Sequence, residues 1–345
     1  MIASVSVEKV NDYGVLTAIG NTPLVELKNL FRDSPFRLFV KLEGGNPGGS
    51  TKDRPAKSII EHGIESGVIN PDTVVVESSS GNMGIGLAQV CTVYGLRFIC
   101  VVDPKTTAQN MRLLKVYGAE IDEVREPDPQ TGEFLQARIN RVKELLATIE
   151  NSFWPNQYSN VFNPMAHHGT MDEIYTELDG RLDYLFCATS TCGTIRGCSE
   201  YLRARRAKTK VIAVDAKGSV IFGGVKAKRL IPGHGAAVRP DLFRPNMVDE
   251  CVHVSDEDCI VGCRRLVRQE GILAGGSSGA VLMALDRIKH RIPSGSTCAA
   301  ILPDRGERYL DTIYSRDWVR EHFGVVDESD ELQSNEELLA AANRG

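Results

Sequence analysis

The chain has 345 residues, 42% hydrophobic and 25% charged, a composition that builds one large or two smaller globular domains. Its formal net charge of −5 leaves no basic excess to neutralise phosphates, which excludes a general nucleic-acid binder. No apolar run is long enough to span a membrane, and residues 1–11 hold no apolar core of a secretory signal, so a cytoplasmic protein is expected.

Short β-rich runs alternate with helical patterns, the signature of an α/β protein with parallel sheets. The patterns predict strands at 37–41, 73–77, 97–102, 120–124, 183–188, 210–214, 251–254 and 297–302. Helices are predicted at 52–66, 82–94, 108–117, 134–148, 194–206, 256–270 and 279–290. Gly95, Gly118 and Gly271 fall just past helical patterns, where a C-terminal cap wants a left-handed residue. Residues 47–153 hold three strand–helix units and read as a smaller lobe, with 13–46 plus 154–324 as a larger one and a cleft between them. Residues 325–345, with six acids against one arginine, read as a flexible acidic tail with a short helix at 335–342. The basic run at 203–208 reads as the solvated last turn of a helix.

Nine cysteines, an odd number without a CxxC pair, several inside apolar runs such as Phe98-Ile99-Cys100-Val101-Val102, point to reduced buried thiols. The adjacent His167 and His168 point apart on a regular element, and no acid or cysteine stands at ligand spacing, so no metal site is expected.

Four loops carry chemistry. The first, Asn46-Pro47-Gly48-Gly49-Ser50-Thr51-Lys52-Asp53-Arg54-Pro55, sets one lysine where a helix begins, behind glycines that permit close approach of a bulky group. The second, Glu77-Ser78-Ser79-Ser80-Gly81-Asn82-Met83-Gly84, joins a strand to a helix and is either an N-cap without a ligand or an anion site. The third, Thr189-Ser190-Thr191-Cys192-Gly193-Thr194, also opens a helix and offers small hydroxylic residues to a phosphate, without Walker A or GxGxxG spacing. The fourth, Leu273-Ala274-Gly275-Gly276-Ser277-Ser278-Gly279-Ala280, presents a serine hydroxyl among glycines.

Together with Gly20-Asn21-Thr22-Pro23-Leu24 and Leu302-Pro303-Asp304-Arg305-Gly306-Glu307-Arg308-Tyr309-Leu310, these loops resemble the fold-type II pyridoxal-phosphate enzymes of the cysteine synthase and cystathionine β-synthase group, over residues 14–316. The resemblance implies two three-layer α/β/α lobes with mainly parallel sheets, a larger cofactor-binding lobe, a smaller mobile substrate-gripping lobe and a homodimer. It implies that Lys52 holds pyridoxal 5′-phosphate covalently and moves the Cα proton. Asn82 would bond the phenolic oxygen, Ser190, Thr191, Cys192, Gly193 and Thr194 the phosphate, and Ser277 the pyridine nitrogen. Ser79, Ser80, Gly81 and Gln157 would grip the substrate carboxylate, with Met83 beside them. A neutral serine at the ring nitrogen weakens the electron sink, which suits loss of a β-substituent and replacement through an α-aminoacrylate better than transamination.

Cysteine synthases of this group generally read TSGNTG in the second loop. Met83, Glu77 and the Asp304-Arg305 pair depart from that pattern. With Asn156-Gln157-Tyr158, Val102-Asp103-Pro104-Lys105 and the segment Val214-Asp215-Ala216-Lys217-Gly218-Ser219, they resemble a narrower subgroup. Its members join O-phospho-L-serine to L-glutamate to give N-(2-amino-2-carboxyethyl)-L-glutamate, a source of 2,3-diaminopropionate for siderophores. A phosphorylated donor requires an added cation, for which Arg138 is the candidate, with Tyr158 and Ser190 as donors; the other reading of Arg138 is an exposed helix charge. The alternative activity is a cysteine synthase that uses sulfide with O-phosphoserine or O-acetylserine.

Overall fold

Two sheets, each sandwiched between helices, organise residues 14–324 and 326, which the computed structural model describes. In chain order the strands are β1 (Leu24–Glu26), β2 (Arg37–Leu42), β3 (Val74–Ser78), β4 (Arg97–Val102), β5 (Glu120–Glu123), β6 (Ser152–Phe153), β7 (Tyr184–Ala188), β8 (Lys210–Ala216), β9 (Glu250–Val254) and β10 (Thr297–Leu302). The helices are α1 (Asp53–Glu65), α2 (Asn82–Tyr94), α3 (Ala108–Val116), α4 (Phe134–Thr148), α5 (Phe162–Glu177), α6 (Gly193–Ala204), α7 (Asp256–Glu270), α8 (Gly276–Ile288) and α9 (Arg316–Phe323).

One sheet runs β1-β2-β10-β7-β8-β9, parallel throughout except where β1 pairs antiparallel with β2. The other, β5-β4-β3-β6, is wholly parallel. Strands covered on both faces must be apolar on both, and β3 and β10 accordingly read as near-continuous buried runs. In the larger sheet, α7 and α8 supply one core and α5 and α6 the other. Around the smaller, α1, α2 and α3 build one core and α4 the other. All nine cysteines are free thiols and eight are buried. Gly95, Gly118 and Gly271 adopt positive φ at helix ends. The short helix expected at 335–342 lies outside the described residues.

Helix α5 is absent from the apolar periodicity because half of its buried stripe is polar: Asn163, His167 and Thr170 share it with Met171 and Ile174. Helix α1 packs on both α2 and α5 and so ties the two halves together. Its first turn carries Arg54, whose guanidinium forks onto two carboxylates. It meets Glu43 at 2.7 and 2.8 Å and Glu173 at 2.7 and 2.8 Å. Lys41, fully buried, adds a 2.8 Å pair to Glu173. Burial opposes ionisation of Glu173, yet the Arg54 bonds hold its carboxyl down at about 2. Removing one partner of such a buried cluster leaves a charge without compensation. Arg54→Ala is therefore expected to cost about 3–5 kcal/mol, read as a lower urea midpoint; an unchanged midpoint would show the cluster to be energetically idle.

Candidate active site

Lys52 stands immediately before α1, at the end of a turn with no room to relax. Gly48 donates its N–H to the Asp53 carboxylate, and a Cβ on Gly48 would lie 2.6 Å from Asp53 Oδ1. Thr51 donates its N–H to the Pro303 carbonyl at 2.7 Å, fastening the turn to the segment after β10. Burial lowers the pKa of Lys52, partly offset by the charges of Asp304 and Glu43, and so favours the neutral amine that attacks an aldehyde.

The lysine shares a cleft of about 430 Å³, counting the part open to solvent, with Ser190, Thr191, Cys192, Gly193, Thr194 and Ser277. The first five residues sit at the start of α6, where unpaired N–H groups and the helix dipole favour an anion. Cys192 takes a left-handed backbone, φ 67°, to turn the chain there. Gly193 is obligatory: its Cβ would fall 2.0 Å from Asn163 Oδ1 on α5. Thr194 Oγ1 meets His167 Nε2 at 3.2 Å, and His167 Nδ1 meets Thr170 Oγ1 at 3.1 Å. Burial above all holds the His167 ring well below its usual pKa, with the Arg54 cation acting in the same direction. It is thus a neutral hydrogen-bonding group that fixes the Thr194 hydroxyl, a role that adjacency to His168 alone does not signal. Among the described residues no three His, Cys, Asp or Glu side chains gather as metal ligands.

Ser277 lies in the first turn of α8, which begins three residues earlier than its pattern predicts because Gly275 and Gly276 pack where side chains cannot. Their Cβ atoms would approach Asp304 Oδ1 to 2.1 Å and Ile231 Cγ2 to 2.4 Å. Asp304 is also the partner of Asn82, which donates to it at 2.7 Å, and of Tyr309, at 2.5 Å; Arg308 in turn donates to Asn82 Oδ1. Asn82 is thus held at one remove from the lining residues.

In the loop before α2, the Ser79 hydroxyl accepts the N–H of Gly84 at 2.8 Å and of Gly81 at 3.4 Å, capping the helix. The Ser80 carbonyl accepts from Asn110 at 3.0 Å. Met83, 2% exposed, packs in the apolar core with α1 and α3.

A second polar group gathers Glu77, Asp103, Arg138, Gln157 and Tyr158. Arg138 is 8% exposed, not a solvated helix charge, with Nε 3.3 Å from Asp103 Oδ2 and its Nε and Nη1 without a hydrogen-bond partner. Glu77 accepts from Trp154 Nε1 at 3.1 Å, from its neighbour Ser78 N at 2.8 Å and from Gln157 N at 3.2 Å. Gln157 and Arg138 do not line the Lys52 cleft, but the Gln157 carbonyl accepts from Asn163 at 2.7 Å, and Asn163 also reaches Thr191 at 3.4 Å. Burial raises the Tyr158 phenol above its usual pKa, with Arg138 and Arg229 pulling the other way.

The family model described as "Pyridoxal-phosphate dependent enzyme" matches residues 15–304. Among solved structures, a hydrogen sulfide-producing enzyme from Fusobacterium nucleatum is 34% identical; the match covers 86% of this chain and 99% of that one, with a TM-score of 0.80. An O-acetylserine dependent cystathionine β-synthase from Helicobacter pylori is 33% identical over 87% and 98% of the two chains, at 0.81. An O-ureido-L-serine synthase is 29% identical over 96% and 100%, at 0.84.

Burial pushes the Glu77 carboxyl up to about 7, against the bonds from Trp154, Ser78 and Gln157 and the Arg138 charge. A carboxyl raised in the fold stabilises it fully below the unfolded pKa and loses that contribution as pH rises through the folded value. Glu77 therefore withdraws about 3 kcal/mol between pH 4.5 and about 7. Glu77→Gln, which mimics the protonated acid, should gain relative to wild type by that order between about pH 5 and pH 8 in urea titrations. A constant gap between the two proteins at both pH values counts against the raised pKa.

Proposed function

From the premise that this chain belongs to the pyridoxal-phosphate-dependent enzyme family, we propose that its β-replacement takes O-phospho-L-serine as donor and L-glutamate as acceptor. The products would be N-(2-amino-2-carboxyethyl)-L-glutamate and phosphate, on the way to 2,3-diaminopropionate for a siderophore. The residues present suit the cofactor. A buried amine stands at one side of the cleft, and hydroxyls with free helix N–H groups stand at another, matching an aldehyde and a phosphate. Lys52 would hold the aldehyde, Ser190 to Thr194 the phosphate, Ser277 the ring nitrogen, and Asn82 the phenolic oxygen. When bound, pyridoxal phosphate supplies the electron-withdrawing system that acidifies the substrate Cα–H and permits loss of the Cβ substituent.

The Lys52 amine, whose burial favours the neutral form, accepts the Cα proton and returns it after the acceptor has joined Cβ. Ser79, Ser80 and Gly81 offer the start of α2 to the substrate carboxylate, with Gln157 opposite. The observation that carries the choice of donor is the buried Arg138 guanidinium, with two nitrogens free of hydrogen bonds beside the Tyr158 phenol. Such a group suits a dianion, which an acetyl ester does not present. Enclosure by the smaller lobe would keep water from the reactive species.

A second reading, with sulfide or a thiol as acceptor, has the more direct support of the relatives' names: one produces hydrogen sulfide and another is a cystathionine β-synthase. Mass spectrometry of the holoenzyme incubated with phosphoserine and either glutamate or sulfide separates the two. The glutamate adduct is expected; cysteine formation with sulfide alone establishes the second reading. Arg138→Ala should leave the visible band of the bound cofactor in place and raise the KM for phosphoserine about ten-fold or more. Unchanged turnover at low phosphoserine removes Arg138 from that role.

A further inference from the structure

The loop between β8 and β9 carries a charge imbalance that nothing in the cofactor cleft uses. From 217 to 240 it holds five basic residues, Lys217, Lys226, Lys228, Arg229 and Arg239, and no acid. Two of them are engaged elsewhere: Lys226 pairs with Glu133 at 2.5 Å, and Arg239 donates to the Ile221 carbonyl at 3.1 Å. The loop then crosses the cleft, where Gly233 lines the same space as Lys52 and Ser277 and Gly235 donates its N–H to the Thr189 carbonyl at 2.7 Å. Between those glycines stands His234, 1% exposed, with both ring nitrogens buried and without a hydrogen-bond partner. Arg229 donates from Nη1 to the His234 carbonyl at 2.8 Å, while its Nε is buried and also without a partner. The Arg229 charge acts on the Tyr158 phenol and the His234 ring, while it is Gly233, next to His234, that lines the cleft. Asp256, a carboxylate on which the Arg229 charge acts, already accepts the Leu230 N–H at 2.6 Å.

A buried imidazole with both nitrogens idle and a guanidinium nitrogen idle beside it are costly unless something bonds to them. We propose that Arg229 and His234, behind the Gly233 edge of the cleft, form the subsite for a carboxylate of the second substrate. The occupant is an acidic amino acid whose amine attacks Cβ while its carboxylate is held by the guanidinium and one imidazole N–H. Burial and the Arg229 charge push the His234 ring down to about 3, so it serves as a neutral donor and its contribution does not depend on protonation. This assignment rests on the reading of L-glutamate as acceptor.

The test is the ratio of KM for L-glutamate to KM for O-phospho-L-serine in the holoenzyme, for wild type and for Arg229→Gln, Arg229→Lys and His234→Phe. Loss of a charged hydrogen bond should raise that ratio about ten-fold or more in R229Q, with smaller rises in R229K and H234F. H234F keeps an aromatic ring in place, so it remains informative if R229Q fails to fold. Equal rises in both KM values, or no rise, in variants of an enzyme that forms the glutamate adduct overturn the subsite alone. If wild type forms no adduct with glutamate and makes cysteine from sulfide, the acceptor reading falls and the subsite with it.

Discussion

The position of Lys52 depends on a carboxylate that never meets solvent. Glu43 accepts both arms of Arg54 on one side and the Thr22 hydroxyl at 2.7 Å on the other. Asn46 Nδ2 donates to its carbonyl at 2.8 Å and its carboxylate at 3.1 Å. Asn46 opens the turn that ends in Lys52, and Arg54 begins the helix that follows, so one side chain fixes both flanks of the amine. With Lys41 and Glu173, and with Glu177 3.4 Å from Lys41, every cation of the cluster faces a carboxylate, which is the condition under which ions tolerate so dry a place.

Helix α5 does comparable work from the other side. Its inward residues are bonded to the loops that form the cleft: Asn163 to the Gln157 carbonyl and the Thr191 hydroxyl, His167 to Thr194. Close approach of α6 follows from Gly193 and Gly197, whose Cβ atoms would each come within 2.0 Å of α5. The same polar stripe that makes α5 a poor amphipathic helix lets it hydrogen-bond to the turn that opens α6.

This explains what could be read from residues alone. The strand-to-helix loops announce themselves locally, because a glycine before Lys52 or a run of hydroxyls before α6 is a short-range pattern, and the predicted starts of α2, α4 and α7 coincide with those observed. Helix α5 was illegible because its partners are polar, and β6 because two residues carry no periodicity. Met83 and Arg138 show the same limit at the site. Whether a side chain faces solvent, core or cleft is decided by which element lies opposite, and that depends on contacts far away in sequence. His167 and His234 owe their interest to burial, which no local motif encodes.

The free thiols have a consequence of their own. Burial drives Cys91, Cys100 and Cys263 towards the protonated form, the last two to about 12. Alkylating reagents capture the thiolate, so in the folded chain the eight buried thiols are silent towards them, Cys251 being partly exposed, and each adduct at a buried site marks a moment of opening. Cys91 and Cys100 lie in the core beside the four-stranded sheet, whereas Cys187, Cys198, Cys259, Cys263 and Cys298 lie in those of the six-stranded one. The molecule thus carries two separately readable clocks, one in each half.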